Sequence, residues 1–194
     1  MHKTAKHRQN GFSLLEVLIA FVVLSFGLLG AVGMQASAMK ANKETQNQTI
    51  AASLARELAD KMRGNHAIAI KTAAADNPYL MSAAFTYSSS AVGTPTENCF
   101  TTACTTPNAV ATWDMADWQN RLLNALPEPR FAICFDKTPF DSDGKAQWKC
   151  SDTGDISVLK LAWTIKDTKG DIQKTDATAA APFVVVPLTA GTIN

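Results

Sequence analysis

Glu16 is the residue in this chain whose surroundings most demand a chemical explanation. It is the one charge in the 23-residue run from Phe12 to Met34, which is otherwise apolar or uncharged. A span of that length can cross a bilayer core, which takes about 20 residues at 1.5 Å rise each. An acid within such a span costs roughly 2.5 to 3.5 kcal/mol at mid-membrane, less near an end, and marks a partner or a function. No basic side chain lies near enough on the helix to pair with it. A cut between Gly11 and Phe12 would create one cation in reach: the new α-amine of Phe12 stands i, i+4 from Glu16 on one helical face. The same two charges can also pair between neighbouring chains.

Ahead of this stretch lie Lys3, Lys6 and Arg8. Basic residues beside an apolar span hold that end in the cytoplasm, which puts the remainder on the far side of the membrane. A basic leader, Gly11, Phe12, Ser13, Leu14, Leu15, Glu16 and a long apolar run together closely resemble the class III signal of type IV prepilins. The resemblance implies cleavage after Gly11 by a prepilin peptidase, N-methylation of Phe12, and a Glu16 that guides docking into a filament. Two other readings compete. Ala36-Ser37-Ala38 looks like a conventional signal-peptidase site, but the apolar run is longer than the usual h-region of about 7 to 15 residues and contains a Glu. A plain single-span anchor leaves the cost of Glu16 unexplained.

The elements that must position these residues follow from periodicity. Gln35 to Arg63 has no Pro or Gly and is mostly helix-forming residues. Ile50, Leu54, Leu58 and Met62 make an apolar stripe opposite Lys43, Glu44, Arg56 and Lys61. Gly64-Asn65 supplies a stop. Phe12 to Arg63 is therefore expected as one helix of about 78 Å. Gly27, Gly30 and Gly33 in its apolar half permit close packing or a local bend. Residues 64–112 read as irregular, with a short strand at Ala84 to Tyr87. Asp114 is expected to cap a helix through Trp118, Leu122 and Leu126, with Asp117 at N3 and Trp113 in the turn before it. Arg130 to Phe135 and Gln147 to Cys150 are expected to form a hairpin about Asp143-Gly144. Ser157 to Lys166 follows as a strand, with Val158, Leu159, Leu161, Trp163 and Ile165 mostly on one face, then a turn at Lys169-Gly170 and a last strand from Pro182 to Leu188. The expected fold class is α+β: a long N-terminal helix on a small antiparallel sheet of three or four strands. The expected divisions are a leader (1–11), an apolar half-helix (12–35), an amphipathic half-helix (36–63) and a globular head (64–194).

Lys3, Lys6 and Arg8 are three of the 18 basic residues, so the chain beyond the leader carries 15 against 17 acidic ones, a balance of −2. That near-neutral balance gives no footprint for nucleic acid. Cys99, Cys104, Cys134 and Cys150 read as two disulfides on the exported side of a membrane, with three connectivities open. Pairing of neighbours is simplest because each bridge closes a short loop. A zinc site has little support: there is no C-x-x-C, and His66 is alone beyond the leader. Asp141-Ser142-Asp143-Gly144 fails as an EF-hand, since the register puts Pro139 at the first ligand and Cys150 at the twelfth. No phosphate loop or nucleophile–base pair can be assembled, so no catalytic residue, metal or cofactor is expected. The four tryptophans, Trp113, Trp118, Trp148 and Trp163, read as core and cover.

The middle of the chain narrows the resemblance. Cys99, Cys104-Thr105-Thr106-Pro107, Trp113-Asp114-Met115, Trp118, Leu126-Pro127 and Cys134 follow an order similar to the PilV family of minor pilins. Glu128-Pro129 departs from that family's Gly-Gly, which puts the local turn in doubt. The resemblance implies a type IV pilin fold and a role in priming pilus assembly, with a place at the pilus tip, supporting twitching motility, adhesion or DNA uptake. Its implied partners are other minor pilins, the major pilin, the prepilin peptidase and the assembly platform. Its implied location is the inner membrane with a periplasmic head, and then the pilus at the cell surface. The alternatives are a minor pseudopilin of a type II secretion system and a membrane-anchored periplasmic binding module.

Overall fold

The computed structural model describes residues 13–86, 95, 97–165 and 181–188. The chain divides into two compact units, Met1–Lys43 and Glu44–Asn194. Helix α1, Leu14–Gly64, contributes to both and passes Gly27, Gly30 and Gly33 without a break. In the first unit every described residue from Ser13 to Met39 is exposed. Ser25, polar within that apolar stretch, donates its hydroxyl to the Phe21 carbonyl at 2.7 Å, so it brings no unmet donor into the span.

The second unit is built on the stripe of α1. Leu54, Leu58 and Met62 are buried there, with Ala51, Ala55 and Ala59 filling the spaces between their turns. After Gly64, Asn65 donates its side-chain amide to the Pro107 carbonyl at 2.6 Å, and the short helix α2 (His66–Ala69) follows. Four strands then form one antiparallel sheet in the order β1 (Met81–Thr86), β2 (Arg130–Phe135), β3 (Ser157–Ala162) and β4 (Val184–Leu188). Phe131, Ile133, Leu159 and Leu161 on one face join the α1 stripe in a single core. A long apolar helix with a small four-stranded antiparallel sheet and two disulfides is the expected α+β class, consistent with the type IV pilin fold.

Several local expectations are corrected. Helix α3 runs Pro107–Ala125, so it starts about two turns before Asp114 and contains Trp113. Its cap is Thr106, whose hydroxyl accepts the Ala109 N–H at 3.1 Å, and Pro107 opens the first turn, where a missing N–H costs nothing. The expected hairpin from Arg130–Phe135 to Gln147–Cys150 does not form. Instead β2 pairs along its whole length with β3, Arg130 opposite Ala162 through Phe135 opposite Ser157. The Asp143-Gly144 turn itself exists, with Gly144 at φ 75, where a glycine carries no Cβ penalty. It closes only a small loop, in which Asp141 accepts the Asp143 and Lys145 N–H groups and Phe140 bridges Ala146. Finally, β3 is buried on both faces, so Val158 lies opposite Leu159 rather than beside it. The expected turn at Lys169-Gly170 lies outside the described residues.

Candidate functional site

The N-terminal site begins at Ser13. Its hydroxyl accepts the Leu15 N–H at 3.3 Å and its carbonyl accepts the N–H groups of Glu16 and Val17, which makes Ser13 the cap of α1. Glu16 falls three residues after this cap, in the first turn of the helix. A carboxylate is favoured there by the positive end of the helix dipole, which offsets part of its cost in apolar surroundings. Ser13-x-x-Glu16 has the spacing of a capping box, a signal that attention to the amine of Phe12 passes over. Glu16, Val17, Ala20, Phe21 and Leu24 border one shallow groove along a single face, apolar except for the carboxylate. Gly11 and Phe12 lie outside the described residues.

In the head unit both bridges join sequence neighbours. Cys99–Cys104 closes a tight loop with Cα atoms 4.9 Å apart, and Cys134–Cys150 ties the end of β2 to the following loop with Cα atoms 6.2 Å apart. Helix α3 is fastened to the amphipathic part of α1 by charge. Lys61 lies 3.2 Å from Asp114 and 3.3 Å from Asp117, and Arg121 pairs with Glu57 and, at 3.2 Å, with Asp117. Tyr79 donates to Asp114 at 2.8 Å. Burial, reinforced by that carboxylate, raises the Tyr79 pKa well above the usual phenol value. Trp118 donates its indole N–H to the Leu54 carbonyl at 2.9 Å and stacks edge-on against Phe131. Trp163 is equally buried, whereas Trp113 and Trp148 are half-buried; the Arg130 guanidinium sits 4.2 Å from the centre of the Trp148 ring.

One buried charge pair has no forerunner in the sequence reading. Lys160, in the middle of β3, lies 2.5 Å from Asp136, and neither side chain is exposed at all. Lys160 also donates to the Lys149 carbonyl, while Asp136 accepts the N–H groups of Thr138 and Ser151. Burial pushes the Asp136 pKa up, but Lys160 and these donors outweigh it and hold the carboxyl below its ordinary range. Asp136, Cys134 and Cys150 place ligand-type atoms within 4.8 Å of one another. The two sulfurs are bonded to each other and Lys160 neutralises the carboxylate, so the trio is a structural knot rather than a metal centre. His66, in α2, is the one histidine among the described residues, and Asp141 spends its carboxylate on its own turn. Among the described residues the convergent polar groups of the head are thus fastenings, which leaves Glu16 in the first turn of α1 as the candidate.

Comparison with known proteins agrees on that end. The family model for the prokaryotic N-terminal methylation motif matches residues 6–32, which include Gly11, Phe12 and Glu16. No curated protein and no solved structure matches the chain significantly. A prepilin-type motif points to a structural protein of the pilin or pseudopilin kind, processed by a prepilin peptidase and assembled with other pilins.

Proposed function

We propose that the chain is a minor pilin of the PilV kind that takes part in priming type IV pilus assembly and sits at the pilus tip. The observation that carries this reading is the methylation motif over residues 6–32, lying across an apolar helix with one acid in its first turn. In this reading α1 crosses the inner membrane once and the head faces the periplasm. A prepilin peptidase cuts between Gly11 and Phe12, and Phe12 is N-methylated. Glu16 then pairs with the terminal amine of a neighbouring subunit, which lowers the cost of keeping both charges in an apolar bundle. The groove from Glu16 to Leu24 supplies the apolar surface that flanks such a pair. The PilV-like order of Cys99, Cys104, Thr106-Pro107, Trp113, Trp118 and Cys134 supports the pilus over a secretion system.

The test is a Glu16→Ala variant in cells that make the fibre. The variant is expected to be cleaved normally but lost from sheared fibres by about tenfold or more, corresponding to the 1.4 kcal/mol or greater value of a desolvated charge pair. Incorporation equal to wild type would overturn the role given to Glu16. Deletion of the gene separates the two machines: loss of surface pili with intact protein secretion supports the pilus, and the reverse assigns a secretion pseudopilus.

A further inference from the structure

The loop between β2 and β3 covers a charge but has no core of its own. No residue from Lys137 to Ile156 is buried, and the hydrophobic core of the head takes no member from that stretch. Beneath the loop lies Lys160, whose side chain is fully out of water. Among the described residues both polar partners of its ammonium sit on the loop: the Asp136 carboxylate at 2.5 Å and the Lys149 carbonyl at 2.7 Å. The strands do not need a disulfide to meet. Phe135 stands opposite Ser157 in the β2–β3 register, so sheet pairing alone closes the ends of the loop. Cys134–Cys150 adds a second tie, from the end of β2 to the far side of the loop, at the residue between Lys149 and Ser151. Around that tie the loop is held by polar contacts. Asp136 accepts the Thr138 and Ser151 N–H groups at 3.0 and 3.3 Å, the Ser151 hydroxyl accepts the Lys137 N–H at 2.9 Å, and the Arg130 guanidinium lies over the Trp148 ring.

Water competes for each of those contacts, so their net hold is modest, whereas a buried ammonium gains strongly by hydration once its cover moves. Segments with little buried apolar surface are the ones that open while the rest of a fold stays closed. We propose that Cys134–Cys150 is a redox latch. Oxidised, it holds residues 136–156 over β3 and keeps Lys160 dry; reduced, it lets the loop lift and delivers Lys160 and Asp136 to water while the helix-on-sheet core stays folded. The latch belongs to the head alone and operates whether or not the chain enters a filament. Its chemistry is thiol–disulfide exchange with a dithiol. Cys134 is 1% exposed and Cys150 half-buried, so the first thiolate attacks the Cys150 sulfur and releases Cys134 as a thiolate. The second thiolate of the dithiol then displaces Cys150, and the dithiol leaves as its own disulfide. The two electrons and two protons it gives up end on Cys134 and Cys150. The Cys99–Cys104 loop contains no charged side chain, so its opening has no such charge to release.

The experiment starts from the folded, oxidised full chain in detergent, reduces it with dithiothreitol and caps the thiols with iodoacetamide. Amines are then labelled with a water-soluble acetylating ester, read residue by residue by mass spectrometry. Lys145 and Lys149, both exposed, serve as internal controls. In the oxidised protein Lys160 should label far more slowly than these two. After reduction its rate should rise about tenfold or more while far-UV circular dichroism stays unchanged. A Lys160 that remains unlabelled after reduction would overturn the latch. Loss of the whole far-UV signal would overturn it too, by making the bridge a support of the entire head. Cys99→Ser/Cys104→Ser, which keeps only the second bridge, should protect Lys160 when oxidised and expose it when reduced; exposure in its oxidised form would contradict the assignment to Cys134–Cys150. Uncapped reduced protein returned to oxidised dithiothreitol should regain protection, and failure to do so would contradict a reversible latch.

Discussion

Lys160 shows how much a single side chain can hold once it leaves water. It sits between Leu159 and Leu161, where alternation along a strand assigns it to solvent. The loop from Asp136 to Ile156 covers that face of β3 and brings Asp136 to it. No local pattern announces the pair, because the partner arrives from across a loop tied down by Cys134–Cys150. Removing one member strands the other in a dry site, which costs about 3 to 5 kcal/mol, whereas replacing both by apolar groups is near neutral. Asp136→Asn should therefore lower the unfolding free energy at pH 7 by about 3 to 5 kcal/mol, with Asp136→Leu/Lys160→Met recovering most of it. The pH dependence follows from the depressed Asp136 pKa. Its contribution is complete above the unfolded carboxylate value of about 3.9 and disappears as pH falls through the lower folded value. Urea unfolding at pH 7 and below pH 4 checks both statements. An Asn variant within 0.5 kcal/mol of wild type would mean the pair is not holding the loop.

Among the elements, α3 marks the boundary between what local signals decide and what they leave open. Its interior was legible: Trp118 and Leu122 recur at helical spacing and are buried. Its start was misplaced because Asp114 and Asp117 have the spacing of a cap, yet both carboxylates are spent on Lys61 across the interface with α1, and Asp117 also on Arg121 of its own helix. Thr106-Pro107 carried the true signal, a hydroxyl cap followed by the proline that helices accept in their first turn. Thr106→Ala should cost about 1 kcal/mol, within the 0.5 to 2 usual for such caps, read as a lower midpoint in thermal unfolding. No change in midpoint would show that the cap is redundant with the Asn65 bond to the Pro107 carbonyl. The β2 hairpin failed for the complementary reason. Asp143-Gly144 fixes a turn, but a turn cannot choose its strand's partner, and Ser157–Ala162 offers β2 a full-length register that Gln147–Cys150 does not. The α1 stripe and the neighbour pairing of the cysteines were legible because each depends on short-range spacing.

At the scale of the whole molecule, the chain joins two designs with different solvents. Residues Ser13 to Met39 are exposed along a largely apolar helix, long and apolar enough to cross a membrane, a surface suited to a bilayer or a bundle of like helices. From Glu44 onward an ordinary aqueous core takes over, in which helix, sheet and two disulfides fasten one another. The assembly chemistry proposed for this chain falls where the first design begins, at Glu16 in the first turn of α1, with the proposed cut just before it. The central claim is therefore tested at the N-terminus, by intact mass and N-terminal sequencing of the membrane-extracted protein from cells with and without their prepilin peptidase. The account predicts loss of residues 1–11 and an N-methylated Phe12, both dependent on the peptidase. A chain that still begins at Met1, or one that begins at Met39 after a conventional signal-peptide cut, would contradict it.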